Sequence, residues 1–133
     1  MKVLNLIIKQ KYFDAILAGR KVQEFREVRP TTIKKLLQLD AEGFEVEDEH
    51  GNAQPIKYDA IRFYVGYHKD RDSALVEVLG AHCEMFVDDK GELISYEYGT
   101  DKEGNPLLWY AEQVVYDLGK ILSHNIRDKS KKV

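Results

Sequence analysis

The sequence predicts one small α+β domain, built as a curled, mostly antiparallel sheet or barrel with one or two short helices against it. Three observations lead there. Helical spacing of apolar residues occurs only near the N-terminus, about six strand-like runs follow, and no linker, low-complexity tract or internal repeat divides the chain. At 133 residues the chain has the length of one domain, and 44% hydrophobic residues supply a core without a covalent staple. The domain is expected to span residues 1–126, with 127–133 a charged, disordered tail that has nothing to bury.

Each element follows from its local pattern. Residues 3–9 form an apolar run that reads as a mostly buried strand. Tyr12, Phe13, Ile16 and Leu17 then fall on one stripe of a helix over 11–18, and Gly19 stops it in a left-handed turn. Residues 22–28 read as a strand ended by Pro30. Thr31 or Thr32 caps a second helix over 32–39 whose buried face is Ile33, Leu36 and Leu37. From residue 40 onward the texture is strands and turns. Glu49-His50-Gly51-Asn52 is the turn of a hairpin between 44–48 and 53–58. Residues 60–66 and 75–87 are strands, the latter with a bend at Gly80. Asp88-Asp89-Lys90-Gly91 is a second hairpin turn leading into 92–98, residues 100–106 form a polar loop, and 114–123 is the closing strand.

Composition narrows the setting. The lone thiol, Cys83, makes no internal disulfide and has no zinc-ligand spacing, so a reducing, cytoplasmic compartment is expected. The apolar run at the N-terminus is cut by Lys9 and Lys11 with no cleavage site after it, and no stretch reaches the length of a membrane span. The four histidines suggest no metal: His82 and its neighbour Cys83 point to opposite faces of a strand, and His50 and His124 lie apart. No cofactor motif is present. The net charge is −3, yet residues 1–38 hold nine Lys or Arg against three acids, which points to an anionic partner on one face or to an ordinary solvated surface.

The segment that bears chemistry runs from Ile16 to Arg26. After Gly19 the chain reverses through Arg20 and Lys21 into a strand on which Val22, Glu24 and Arg26 share one face and Gln23 and Phe25 the other. A carboxylate and a guanidinium two residues apart, with an ammonium at the turn, suit gripping an anion or polarising a carbonyl. The same pattern also serves a plain in-strand ion pair. Phe25 is expected in the core, with Glu24 and Arg26 facing a cleft. Tyr67 stands out among the tyrosines because it opens the polar loop 67–73, which either borders the cleft, where the ring could stack on a base, or is a solvated connection.

The arrangement Gly19, Lys21, Glu24, Arg26 after an Ile-Leu-x-Gly helix end resembles the ASCH signature G-x-K-x-x-[T/E]-x-R. The segments 63–67, 74–78 and 116–121 are also similar to strands of that family. The resemblance covers roughly residues 3–123 and leaves the insertions at 40–57 and 88–106 outside it. It implies a PUA-like pseudo-barrel whose cleft lies beside the first helix. The function expected is an RNA- or modified-nucleoside-binding module whose small basic cleft holds Lys21, Glu24 and Arg26, with Arg20 and Tyr67 as peripheral contacts. Some members hydrolyse N-acetylated cytidine with a lysine, a threonine and a distant glutamate. Lys21 matches the lysine, and Glu24 stands at the threonine position, where a carboxylate serves as a base for water rather than as an alkoxide. The alternative reading is therefore a hydrolase of an N-acylated nucleoside or of RNA, with Lys21 and Glu24 as its acid–base pair. A protein–protein adaptor is a third.

Overall fold

The computed structural model describes residues 1–127, so the tail expected from the sequence falls, from residue 128 on, outside the described residues. Among the described residues, seven strands and two helices follow one another as β1 (Val3–Ile8), α1 (Gln10–Leu17), β2 (Gln23–Val28), α2 (Ile33–Leu36), β3 (Ala60–Val65), β4 (Ser73–Met85), β5 (Ser95–Thr100), β6 (Pro106–Tyr110) and β7 (Glu112–Asn125). The α+β class stands, with strands predominating. The hydrogen-bonded order is β1-β3-β4-β7-β2 in a five-stranded sheet, and β5-β6 in a separate pair. The chain forms two units. The first holds Met1–Glu24, Lys57–Gly80 and the chain from Tyr116, and the second holds Phe25–Ile56 and Ala81–Val115.

In the first unit β1 alternates cleanly, with Leu4, Leu6 and Ile8 buried while Asn5 and Ile7 face out. It is thus buried on one face rather than mostly buried. Helix α1 buries Phe13 and Ile16 and lies against β3. It ends in a Schellman motif: Gly19 adopts φ 77°, its N–H donates to the Ile16 carbonyl, and the Arg20 N–H donates to the Ala15 carbonyl. Strand β3 runs parallel to β1 and antiparallel to β4. A mixed sheet therefore replaces the expected mostly antiparallel barrel, and no closed barrel is found among the described residues. The reason is connectivity: a long excursion through α1, β2 and α2 returns the chain to pair with β1 in the same direction, which a tight hairpin cannot do. Ala60, Ile61, Phe63, Ala74 and Val76 complete the buried set on β3 and β4.

The second unit is built from one turn used four times among the described residues. Each turn has the sequence Asp-x-x-Gly-x, beginning at Asp40, Asp48, Asp88 and Asp101. In each, the glycine N–H returns to the aspartate carbonyl at 3.0–3.1 Å and the aspartate Oδ1 accepts two further backbone N–H groups at 2.9–3.0 Å. The four glycines sit at φ 79–89°, a region that a side chain disfavours.

Two of these turns combine into a repeat. Gln38, Val46 and Gln54 form a ring of backbone hydrogen bonds: Gln38 N–H to Gln54, Gln54 N–H to Val46, Val46 N–H to Gln38, at 2.9–3.0 Å. Phe86, Ile94 and Ala111 form the same ring at 2.8–3.0 Å. The second copy differs in carrying the β5–β6 hairpin between its last two members. The sequence reading of no internal repeat is corrected here, because that insertion destroys the constant period by which a repeat is recognised. The same insertion contains β6, a strand absent from the sequence reading. The second helix is also shorter than expected, four residues rather than eight.

Strand β2 corrects a parity. Glu24 and Val28 are buried on it and Phe25 is 47% exposed, so the carboxylate occupies the inward row assigned to the aromatic ring. Val28, fully enclosed, fixes the row, and the even-numbered positions follow it inward. Accordingly Phe25→Ala should cost under about 1 kcal/mol, whereas Phe63→Ala, at a fully buried position, should cost about 3–5 kcal/mol. Urea unfolding of the two variants measures both, and the ranking is the test.

Candidate functional site

Of the residues singled out in the sequence, Lys21 and Glu24 come together in the first unit. The Lys21 Nζ lies 3.2 Å from Glu24 Oε1, donates to the Gln23 carbonyl at 2.6 Å, and stands 5.7 Å from the centre of the Tyr12 ring. Both side chains are mostly enclosed, which makes the pair a neutralised unit. The Schellman turn places it there by sending the chain from α1 directly into β2. Beside Lys21 is a hollow of about 170 Å³ whose lining includes Ile16, Val76 and Leu118. Arg20 is exposed, and Tyr67 is 84% exposed at the end of β3. Arg26, half-buried, belongs to the second unit, as do Arg29, Lys34 and Lys35. The basic N-terminal segment is therefore shared between the units.

Charge separates sharply by unit instead. Over its described residues the first unit has 11 basic and 7 acidic side chains, a net +4. The second has 6 basic and 15 acidic, a net −9.

A cavity of about 420 Å³ lies within this acidic unit, lined by both repeats. From the first repeat it takes Glu45, Glu47 and Ala53, and from the second Met85, Leu93, Leu108, Tyr110 and Glu112, with Cys83 and Trp109 also on its wall. Trp109 is pinned: its indole N–H donates to the Val28 carbonyl at 2.9 Å, and its ring meets Tyr98 edge-on at 5.6 Å. Met85, Leu93, Leu108 and Tyr110 are each roughly half exposed.

Glu112 is the unusual member. It is 5% exposed and shares parity on β7 with the buried Val114, Tyr116 and Leu118. Burial pushes its carboxyl up to about 8, aided by the hydrogen bond with Glu45 and by that side chain's negative charge. At neutral pH Glu112 therefore keeps its proton and is hydrogen-bonded to Glu45. The same surroundings push the Cys83 thiol up to about 12, by burial first and then by the charges of Glu112 and Glu45. Cys83 thus stays a thiol, unsuited to nucleophilic work.

A carboxylic acid and a carboxylate side by side can donate and accept at once, or can together neutralise a cation. Sequence reasoning missed both residues. The available signal was a glutamate at a core-parity position of an apolar strand, since such a charge is retained only with a partner. No protein-family model, curated protein or solved structure matches the chain.

The proton held by Glu112 makes stability depend on pH. Below about 4.5 the Glu112 carboxyl is protonated in both folded and unfolded chains, and above about 8 it is ionised in both. Between these limits the folded chain holds a proton that the unfolded chain releases, so the unfolding free energy falls as pH rises. Denaturant titrations from pH 5 to 9 should record this decline in the native chain and a flatter profile in Glu112→Gln.

Proposed function

We propose that the second unit is a binding module for a positively charged nitrogen attached to an apolar body. The observation that carries this reading is the pair Glu45–Glu112 in the wall of a 420 Å³ cavity whose other sides are largely apolar. Small-ligand sites have this form, with hydrophobic walls and a few polar groups that fix orientation, and volumes of roughly 300–1,000 Å³. A cation entering the cavity displaces the proton of Glu112. It is then held by two carboxylates at low local dielectric. Binding therefore releases a proton, and affinity rises with pH up to about 8 before levelling. Calorimetry with benzamidine, against neutral benzamide as control, measures this. Benzamidine should bind, with an enthalpy that varies with buffer ionisation, and Glu45→Gln/Glu112→Gln should abolish the heat. Equal affinity for benzamide would sink the reading.

A second reading, RNA or nucleotide binding in a PUA-like fold, belongs to the first unit. Its support is the resemblance to the ASCH signature, of which Gly19, Lys21 and Glu24 lie in this unit, together with the unit's net +4 and its exposed Tyr67 ring. Bases stack on open aromatic rings and cations follow the phosphates. Fluorescence anisotropy with a single-stranded RNA oligonucleotide should give an affinity that falls with salt. Arg20→Ala, Lys21→Ala and Tyr67→Ala should weaken it more than Lys131→Ala or Lys132→Ala. Equal losses at all five positions would mean diffuse charge rather than a site.

A further inference from the structure

Building on the cation-binding reading of the second unit, we infer that the occupant of this cavity is an arginine or lysine side chain presented by a basic, apolar-flanked segment of a partner protein. Three observations favour a protein segment over a free small cation.

The first is charge. A single ligand nitrogen needs one carboxylate pair, yet this unit carries a net −9 over 67 residues. Such a field attracts and orients a partner bearing several positive charges, and it repels nucleic acid. Glu47, also on the cavity wall, offers a further carboxylate near the rim.

The second is the state of the walls. Met85, Leu93, Leu108 and Tyr110 all line the cavity and are all about half exposed. Val87, bridged to Leu93, extends this apolar surface and is 53% exposed. A small cation seated on the acid pair would leave most of that surface in water. A segment with apolar residues on either side of the basic one would cover it. Interfaces are commonly arranged this way, with a basic or aromatic anchor buried at the centre and apolar contacts around it.

The third is rigidity. The repeats on either side of the cavity are fixed by hydrogen-bond rings and aspartate turns, and Trp109 is held by its bond to Val28. A wall held in place binds a side chain without the ordering cost that a loose surface incurs. Arginine fits better than lysine, because its planar fork can engage both carboxyls while the ammonium is a single point of charge.

The test uses the full chain and a blocked, fluorescein-labelled peptide, Leu-Lys-Leu-Arg-Leu-Lys-Leu, with a second peptide carrying citrulline in place of the arginine. The arginine peptide should bind about tenfold or more tighter than benzamidine, and citrulline should lose most of that gain. Glu45→Gln/Glu112→Gln and, separately, Leu108→Ser should each weaken the peptide about tenfold or more, both variants keeping the native circular dichroism spectrum. Leu108→Ser, at a half-exposed position, serves where the double variant is poorly folded. Pair-dependent binding of benzamidine with no tighter binding of the peptide overturns this inference and leaves the cation reading standing. Binding of neither overturns both. Peptide binding indifferent to citrulline and to the acid pair means diffuse charge and overturns the inference. Concentration-dependent growth in mass that the double variant abolishes would make the occupant a second copy of this chain, and would overturn it as well.

Discussion

An aspartate carboxylate that accepts two backbone N–H groups two and four residues ahead is the interaction on which the second unit depends. It occurs at Asp40, Asp48, Asp88 and Asp101, and each time it closes a loop of the same length between flanking residues that pair across it. The backbone bonds hold the Asp48 and Asp101 carboxyls below their ordinary range, so these side chains remain acceptors well into acid. The two backbone hydrogen-bond rings and the Trp109–Val28 bond add to it, and the core is small. Its fully buried apolar residues are few, chiefly Val28, Leu36, Leu37, Val114 and Val115, and β5 has no buried residue at all. Local hydrogen bonding supplies here the register that a large core would otherwise impose.

That division of labour explains what the sequence reveals. In the first unit the elements were legible because apolar periodicity and burial coincide: the helix stripe of Phe13 and Ile16, the stop at Gly19, the runs of β1 and β3. The parity of β2 was not. An aromatic ring and a carboxylate alternate there, and hydrophobicity alone puts the ring inside. Lys21, brought back by the turn, is what lets Glu24 take the inward place. Glycine-bearing turns at 49–52 and 88–91 were likewise visible, while their equivalence was hidden by an inserted hairpin. The parallel pairing of β1 with β3 leaves no local trace, since it depends on residues more than fifty positions apart.

The site was the least legible part, for a related reason. Its two central carboxyls come from different repeats, Glu45 just beyond the first aspartate turn and Glu112 at the start of β7, and nothing in the spacing links them. The ASCH-like segment drew attention to Lys21, Glu24 and Arg26 because those residues are close in sequence. Proximity in sequence produced a neutralised ion pair for two of them. The cavity arose where distant segments meet, as concave sites commonly do.

Glu112 also shows how a fold keeps an acid where its pattern calls for an apolar residue. Removing a carboxylate from water costs several kcal/mol, and a fold meets that cost with a counter-ion or by leaving the group protonated. At Glu24 the counter-ion is Lys21. At Glu112 the neighbour is another carboxylate, so protonation is the remaining route and the acid stays neutral beside Glu45. The two buried acids thus answer one problem in opposite ways. The first answer leaves a closed pair. The second leaves a proton that a cation can displace, in a cavity wide enough to admit one, and this is why the acidic unit rather than the basic one holds the more reactive electrostatic arrangement.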